Sequence, residues 1–221
     1  LGSSPSDFWQ FYPIFYRKGV TVDAPLIEGH GTSPKELGKT PYESWILSAE
    51  IEYAKLKEEG KDVVVVGNCM GSLLALELAS KHEVEQLILV NPPLKLKSKL
   101  VNVLPLFWLF ETYHPNDLFS SQDDDLPGFA VTYKVYPLRS ISELLELQER
   151  VTEKLGEVDD PIVVFQSEKD TTVDPDGTKT LDDNVKSEDK DITFLSNSTH
   201  VHFSEEDLKM INKIINSKVS C

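Results

Sequence analysis

Four consecutive valines, Val63 to Val66, run directly into the turn Gly67-Asn68-Cys69-Met70-Gly71, and a Leu/Ala-rich stretch follows to Lys81. An unbroken β-branched run suits a strand covered on both faces, which is where parallel strands sit. Gln86-Leu87-Ile88-Leu89-Val90 is a second such run, closed by Asn91-Pro92-Pro93. Strand, helix and strand within about 28 residues make a βαβ unit, because parallel pairing needs a crossover connection. That unit commits the chain to the α/β class.

The rest of the sequence extends the pattern. Gly19 to Pro25 reads as an earlier strand, and a helix from about Tyr42 to Glu59 links it to the valine run. Pro161 to Gln166 and Ile192 to Leu195 predict two later strands. Glu205 to Asn216 predicts a closing amphipathic helix, with Leu208, Ile211, Ile214 and Ile215 on one face. The stretch from 94 to 156 breaks the alternation. It holds Leu104-Pro-Leu-Phe-Trp-Leu-Phe110, the run Asp123-Asp124-Asp125 and a helical pattern from Ser140 to Leu155. At roughly 60 residues it far exceeds an ordinary connection. The chain therefore divides into a core part over 1–93, an inserted cap over 94–156 and a second core part over 157–221.

Composition narrows the partners. In 221 residues, 37 acidic side chains oppose 22 basic ones, for a formal net charge of −15. That balance disfavours nucleic acid and anionic membrane surfaces, both of which need clustered Lys and Arg. The two cysteines, Cys69 and Cys221, show no disulfide or zinc spacing, and a reducing, cytoplasmic setting is expected. No apolar run is long enough to span a bilayer. The Asp123-Asp124-Asp125 run reads as a solvated loop; no metal and no cofactor are expected. Oligomeric state is not encoded legibly.

Chemistry concentrates at Gly67-Asn68-Cys69-Met70-Gly71, a G-x-C-x-G form of the strand-to-helix nucleophile turn. A nucleophile on such a turn has strained backbone angles, so small neighbours two positions away are expected. The helix N-terminus favours a thiolate at Cys69, and the Met70 N–H can donate to an oxyanion. The competing reading is an inert buried cysteine beside a tight turn. An acid and a histidine should follow later strands. After the 161–166 strand comes Ser167-Glu168-Lys169-Asp170, with Asp170 the first candidate acid and Asp174 the second. After the last strand come His200 and His202, either of which could act as base, with His200 first in line. His30, in Glu28-Gly29-His30-Gly31, reads as a turn residue.

Taken together, Ala24-Pro25 with Gly29-His30-Gly31-Thr32-Ser33-Pro34, the turn at Cys69, Asn91-Pro92-Pro93, Ser167-Glu168-Lys169-Asp170 with Val173-Asp174-Pro175, and Ser198-Thr199-His200 resemble the α/β-hydrolase superfamily. Within it, the sequence is similar to bacterial carboxylesterases and monoacylglycerol lipases. The resemblance implies an α/β-hydrolase fold with Cys69, Asp170 and His200 as nucleophile, acid and base, and a structural role for the His30 turn. It also implies Leu1 and Met70 as oxyanion-hole donors, and an upstream strand ending in His-Gly that would make this chain part of a longer polypeptide. Cysteine stands where the family usually has serine.

Phe107, Trp108 and Phe110 are expected to line an acyl-binding wall, or else to pack the cap onto the core. The leading expectation is hydrolysis of small-molecule carboxylic esters, of short to medium acyl or monoacylglycerol type, through an acyl-enzyme. A thioesterase or acyltransferase, and a non-catalytic binding protein on the same fold, are the alternatives.

Overall fold

The computed structural model describes residues 1–97, 113–115 and 132–219. Phe107, Trp108 and Phe110 lie outside the described residues, as do the 123–125 run and Cys221. A short 3₁₀ turn over Pro5–Gln10 leads into α1 (Tyr12–Arg17), α2 (Pro34–Leu37) and α3 (Tyr42–Glu58). The valine run then forms β1 (Val64–Asn68), followed by α4 (Met70–Ala79) and β2 (Gln86–Val90). A small antiparallel pair, β3 (Tyr113–Pro115) and β4 (Val135–Pro137), precedes α5 (Leu138–Lys154). The chain closes through β5 (Ile162–Ser167), α6 (Asp176–Asn184), β6 (Lys190–Leu195) and α7 (Glu205–Lys218).

The main sheet is parallel throughout, in the order β1-β2-β5-β6. Its central strands explain the continuous apolar runs in the sequence. Leu87 and Leu89 of β2, with Ile162 and Val164 of β5, join a cluster with Trp45, Leu73 and Leu147. Ile88 and Val90, with Val163 and Phe165, join a second cluster with Phe11, Ile211 and Ile215. Successive side chains point to opposite faces, and both faces are covered, so no polar alternation is possible. Helix α4 is buried at every residue except Gly71, which accounts for its Leu/Ala composition.

One expected strand is absent. Residues 19–25 form no strand. A strand needs a backbone partner, and a cavity of about 670 Å³ lies between this segment and β1. Val20, Val22, Val64, Val66, Leu74 and Leu78 are among its lining residues. Among the described residues β1 pairs only with β2, and Val22 is 44% exposed.

Helix α5 packs its Leu144, Leu147 and Val151 into the same cluster as Leu73, and an ionic hub ties it to α4. Glu77, fully buried in α4, accepts from Arg150 Nη2 at 2.8 Å and from Lys154 and Lys81 Nζ at 3.0 Å each. Burial pushes this carboxyl up, but the three cations outweigh it and hold it below the ordinary range.

Candidate active site

The four turns of interest all leave the same edge of the sheet. Cys69 follows β1, Asn91 follows β2, Asp170 follows β5, and His200 follows β6. In a parallel sheet the carboxyl ends of the strands share one edge, so these residues converge without any being close in sequence.

Cys69 occupies φ 50°, ψ −121°, a conformation that costs a non-glycine residue about 1–3 kcal/mol and must be held by its surroundings. The hold is visible. The Cys69 N–H donates to Val90 O at 2.9 Å, and its carbonyl accepts from the Ser72 N–H at 2.8 Å. Ser72 Oγ donates to Gly67 O at 2.8 Å and to Val90 O at 3.1 Å. A side chain at Gly67 would drive its Cβ into the Gly71 carbonyl, so glycine is required there. At Gly71 an added Cβ meets nothing within 4 Å. The sequence expectation that both flanking glycines are needed therefore holds for the first only, because the second borders the cavity rather than packed atoms.

Asp170 and His200 meet as a pair. His200 Nδ1 lies 2.7 Å from Asp170 Oδ2, with Asp170 1% exposed and His200 8% exposed. The other carboxylate oxygen accepts from the backbone N–H groups of Thr172 at 2.8 Å and Val173 at 2.9 Å. Every lone-pair direction that matters is filled, which fixes the carboxylate plane. With Nδ1 occupied, the remaining ring nitrogen is left to face Cys69, whose charge is coupled to that of His200.

The electrostatics of this trio are mutual. Burial pushes the His200 imidazole down, but the Cys69 thiolate and the Asp170 carboxylate outweigh it and raise the pKa to about 10. Burial pushes the Cys69 thiol up, yet the charge and hydrogen bond of His200 bring it below the ordinary thiol value. Both shifts favour the thiolate–imidazolium form of a cysteine and a histidine placed together beside a carboxylate. Such a group can add a sulfur to an electrophilic carbon and deliver a proton beside it.

The alternatives left open by the sequence separate cleanly. Asp174 is tied to Lys95 Nζ at 2.9 Å, and that same Nζ reaches Asp176 at 2.8 Å, away from the imidazole. His202 is exposed. His30 is buried against Trp45 with ring centroids 5.8 Å apart, and its Nδ1 lies 3.2 Å from Glu28 O. Burial holds its pKa down at about 4, so it is neutral. Its turn is built by Gly29 and Gly31 at φ +80° and +65°. The Tyr133 hydroxyl accepts from the Thr32 N–H at 2.7 Å and donates to Gly29 O at 3.1 Å, clasping that turn. Met70 is buried at the start of α4, and Leu1 is partly buried near Tyr136.

Several supports escape a reading by motif. Lys97 Nζ donates to the Asp170 carbonyl, and Leu96 bridges Val173, so the 94–97 segment straps the Asp170 loop. Asp207, 1% exposed, accepts from Ser198 Oγ at 2.6 Å and from the Asn197 N–H at 3.0 Å, and so braces the loop that carries His200. A signal for Asp207 existed: it falls four residues before Ile211 on the buried face of α7, where a solvated carboxylate has no place.

With this geometry in hand, the comparisons with known proteins carry weight. A family model described as serine aminopeptidase, S33, matches residues 7–207. The thermostable monoacylglycerol lipase of Bacillus sp. (strain H-257) is 26% identical over 203 residues, covering 89% of this chain and 78% of that protein. The carboxylesterase of Bacillus subtilis (strain 168) is 23% identical over 199 residues, covering 89% and 79%. Among solved structures, one from work on the metagenome-derived lipolytic enzymes LipS and LipT superposes with a TM-score of 0.87 at 23% identity, covering 98% of this chain and 89% of that one. The Paleococcus ferrophilus monoacylglycerol lipase superposes at 0.79 with 18% identity, covering 99% and 92%. The superpositions show the α/β-hydrolase fold, as the resemblance implied. The chain belongs to the serine aminopeptidase S33 family of the α/β-hydrolase superfamily.

Proposed function

We propose that this protein hydrolyses carboxylic esters, of short to medium acyl or monoacylglycerol type, through a Cys69–His200–Asp170 triad. The observation that carries the reading is the 2.7 Å contact between His200 Nδ1 and Asp170 Oδ2, buried beside a cysteine on a strained strand-to-helix turn. The monoacylglycerol lipase and carboxylesterase relatives support the choice of an ester as substrate.

In the first half-reaction the Cys69 thiolate adds to the ester carbonyl carbon, and the carbonyl electron pair moves onto oxygen. The Met70 N–H, with Leu1 beside it, stabilises that oxyanion. Collapse breaks the carbon–oxygen bond, and the departing alkoxide takes the proton from His200. In the second, neutral His200 accepts a proton from water as its oxygen attacks the thioester. Collapse then breaks the carbon–sulfur bond and regenerates the thiolate, and the acid leaves. Asp170 keeps the imidazole in the tautomer and orientation both halves need.

A thiolate nucleophile also favours a second reading, in which the thioester passes its acyl group to an alcohol or amine. The experiment is turnover of p-nitrophenyl acyl esters by the parent protein and by Cys69→Ala. Loss of about 10⁵-fold or more is expected on the scale of nucleophile deletions in triad enzymes, with the alanine variant folded. Equal rates would reject Cys69 as the nucleophile. Adding a primary alcohol should leave the rate of acid release unchanged; diversion of most of the acyl group into new ester would establish the transferase instead.

A further inference from the structure

Asn91 sits at the end of β2, is fully buried and adopts φ 47°. It has no place in the chemistry above, yet three of the turns that supply that chemistry hang on it and on the residue before it. The Val90 carbonyl takes the Cys69 N–H, as described. The Asn91 N–H donates to Phe165 O at 2.8 Å, which holds β2 to β5 to its last residue. The side chain then spans the gap beyond. Oδ1 accepts from the Ser167 N–H at 2.7 Å and from Gln166 Nε2 at 3.4 Å. Nδ2 donates to the His200 carbonyl at 3.2 Å.

These bonds leave no freedom in the amide. The Ser167 N–H can only donate, so Oδ1 must face it, and Nδ2 must face the His200 carbonyl. Ser167 ends β5 three residues before Asp170, while His200 lies beyond β6. The two sides of the 2.7 Å His200–Asp170 contact are thus gauged by one rigid planar group. Asparagine is also the side chain best suited to that left-handed backbone position. An aspartate would keep the Ser167 bond but set a second acceptor against the His200 carbonyl. A glycine would fit the backbone and remove the link.

We infer that Asn91 is a positioning residue that sets the His200 loop against the Asp170 turn. The inference rests on the triad reading and adds to it a residue that touches neither substrate nor the reacting atoms. Misplacement of a base by an ångström or so lowers turnover by about 10²-fold while leaving binding little changed.

The test uses the full chain carrying Cys221→Ser as parent, so that iodoacetamide reports Cys69 alone. In Asn91→Gly, kcat on a p-nitrophenyl ester should fall about 30-fold to 100-fold with KM within about twofold. The pH at which Cys69 alkylation becomes fast should move up towards that of an ordinary thiol, since His200 no longer meets the sulfur squarely. Asn91→Asp should shift both readouts the same way and further. A folded Asn91→Gly with parental kcat and a parental alkylation profile overturns the inference. Failure of both variants to fold overturns it too, because Asn91 would then be a folding determinant. Failure of the triad reading looks different: ester turnover survives Cys69→Ala, whatever Asn91 does.

Discussion

The turn that carries Cys69 is closed almost entirely by its own neighbours, whereas the loops that carry Asp170 and His200 also take braces from distant parts of the chain. Around Cys69, Gly67 O, Ser72 and the Cys69 carbonyl bond within six residues of one another, and among the described residues the backbone partner from outside is Val90. The Asp170 loop is strapped by Lys97 and Lys95, more than seventy positions upstream. The His200 loop leans on Asn91, more than a hundred positions upstream, and on the nearby Asp207 in α7. The Cys69 turn can store strain because local bonding determines its shape. The Asp170 and His200 loops combine local bonds with long-range braces. Substitutions at the turn should therefore act through folding, and substitutions at the braces through turnover.

Three outcomes would break or sharpen that contrast. The largest effect is expected for Asp170→Asn. It keeps the side-chain shape but presents the wrong partner to His200 Nδ1, and kcat should fall about 10⁴-fold, the scale of the matching change in serine proteases. Thermal unfolding should move little, because the amide can keep its oxygen on the Thr172 and Val173 N–H groups. A melting point that collapses along with activity would place the Asp170 loop with the Cys69 turn and erase the distinction.

Next comes the pair Gly67→Ala and Gly71→Ala. The first forces a Cβ into backbone and should cost about 3 kcal/mol of stability, read from urea denaturation. The second meets open space on a helix, where alanine outranks glycine, and should be neutral or stabilising by up to about 0.5 kcal/mol. Equal destabilisation by the two would show that the turn is not held as described.

The smallest effect is a pH dependence. His200 is raised from 6.5 to about 10, so its contribution is full below pH 6.5 and is lost as pH climbs towards 10. Cys69 is lowered from 9.0, so its contribution grows with pH up to about 9. The two opposite trends offset each other over the shared range. What remains on the alkaline side is a net loss between about pH 9 and pH 10, where the unfolded pair has released both protons and the folded pair still holds one. Denaturation midpoints of parent and Cys69→Ala should diverge below pH 9 and converge through that window. A constant difference from pH 7 to pH 10.5 would rule out the ion pair.

How legible all this was depended on range. The two-faced burial of β2 was readable in Gln86 to Val90 because a strand buried on both sides leaves a continuous apolar run. The strand-turn-helix at Cys69 was readable because its constraints lie within about ten residues. The segment at 19–25 misled for the opposite reason. Its residue types suit a strand, but strand formation is a property of pairs, and here a cavity separates it from β1. Glu77 offered a clue, as the lone charge in a helix otherwise made of Met, Gly, Ser, Leu and Ala, though only the fold shows the three cations that surround it.

The sequence alone determined the α/β class, the βαβ unit and the turn that exposes Cys69, because periodicity, β-branching and one obligatory glycine act locally. It narrowed the acid and base to short lists. Only the tertiary structure chose Asp170 over Asp174 as the partner of His200, and His200 over His202. That choice depends on which loops leave one sheet edge facing each other, and on Lys95, Lys97 and Asn91, whose bonds to those loops exist only once the chain has closed.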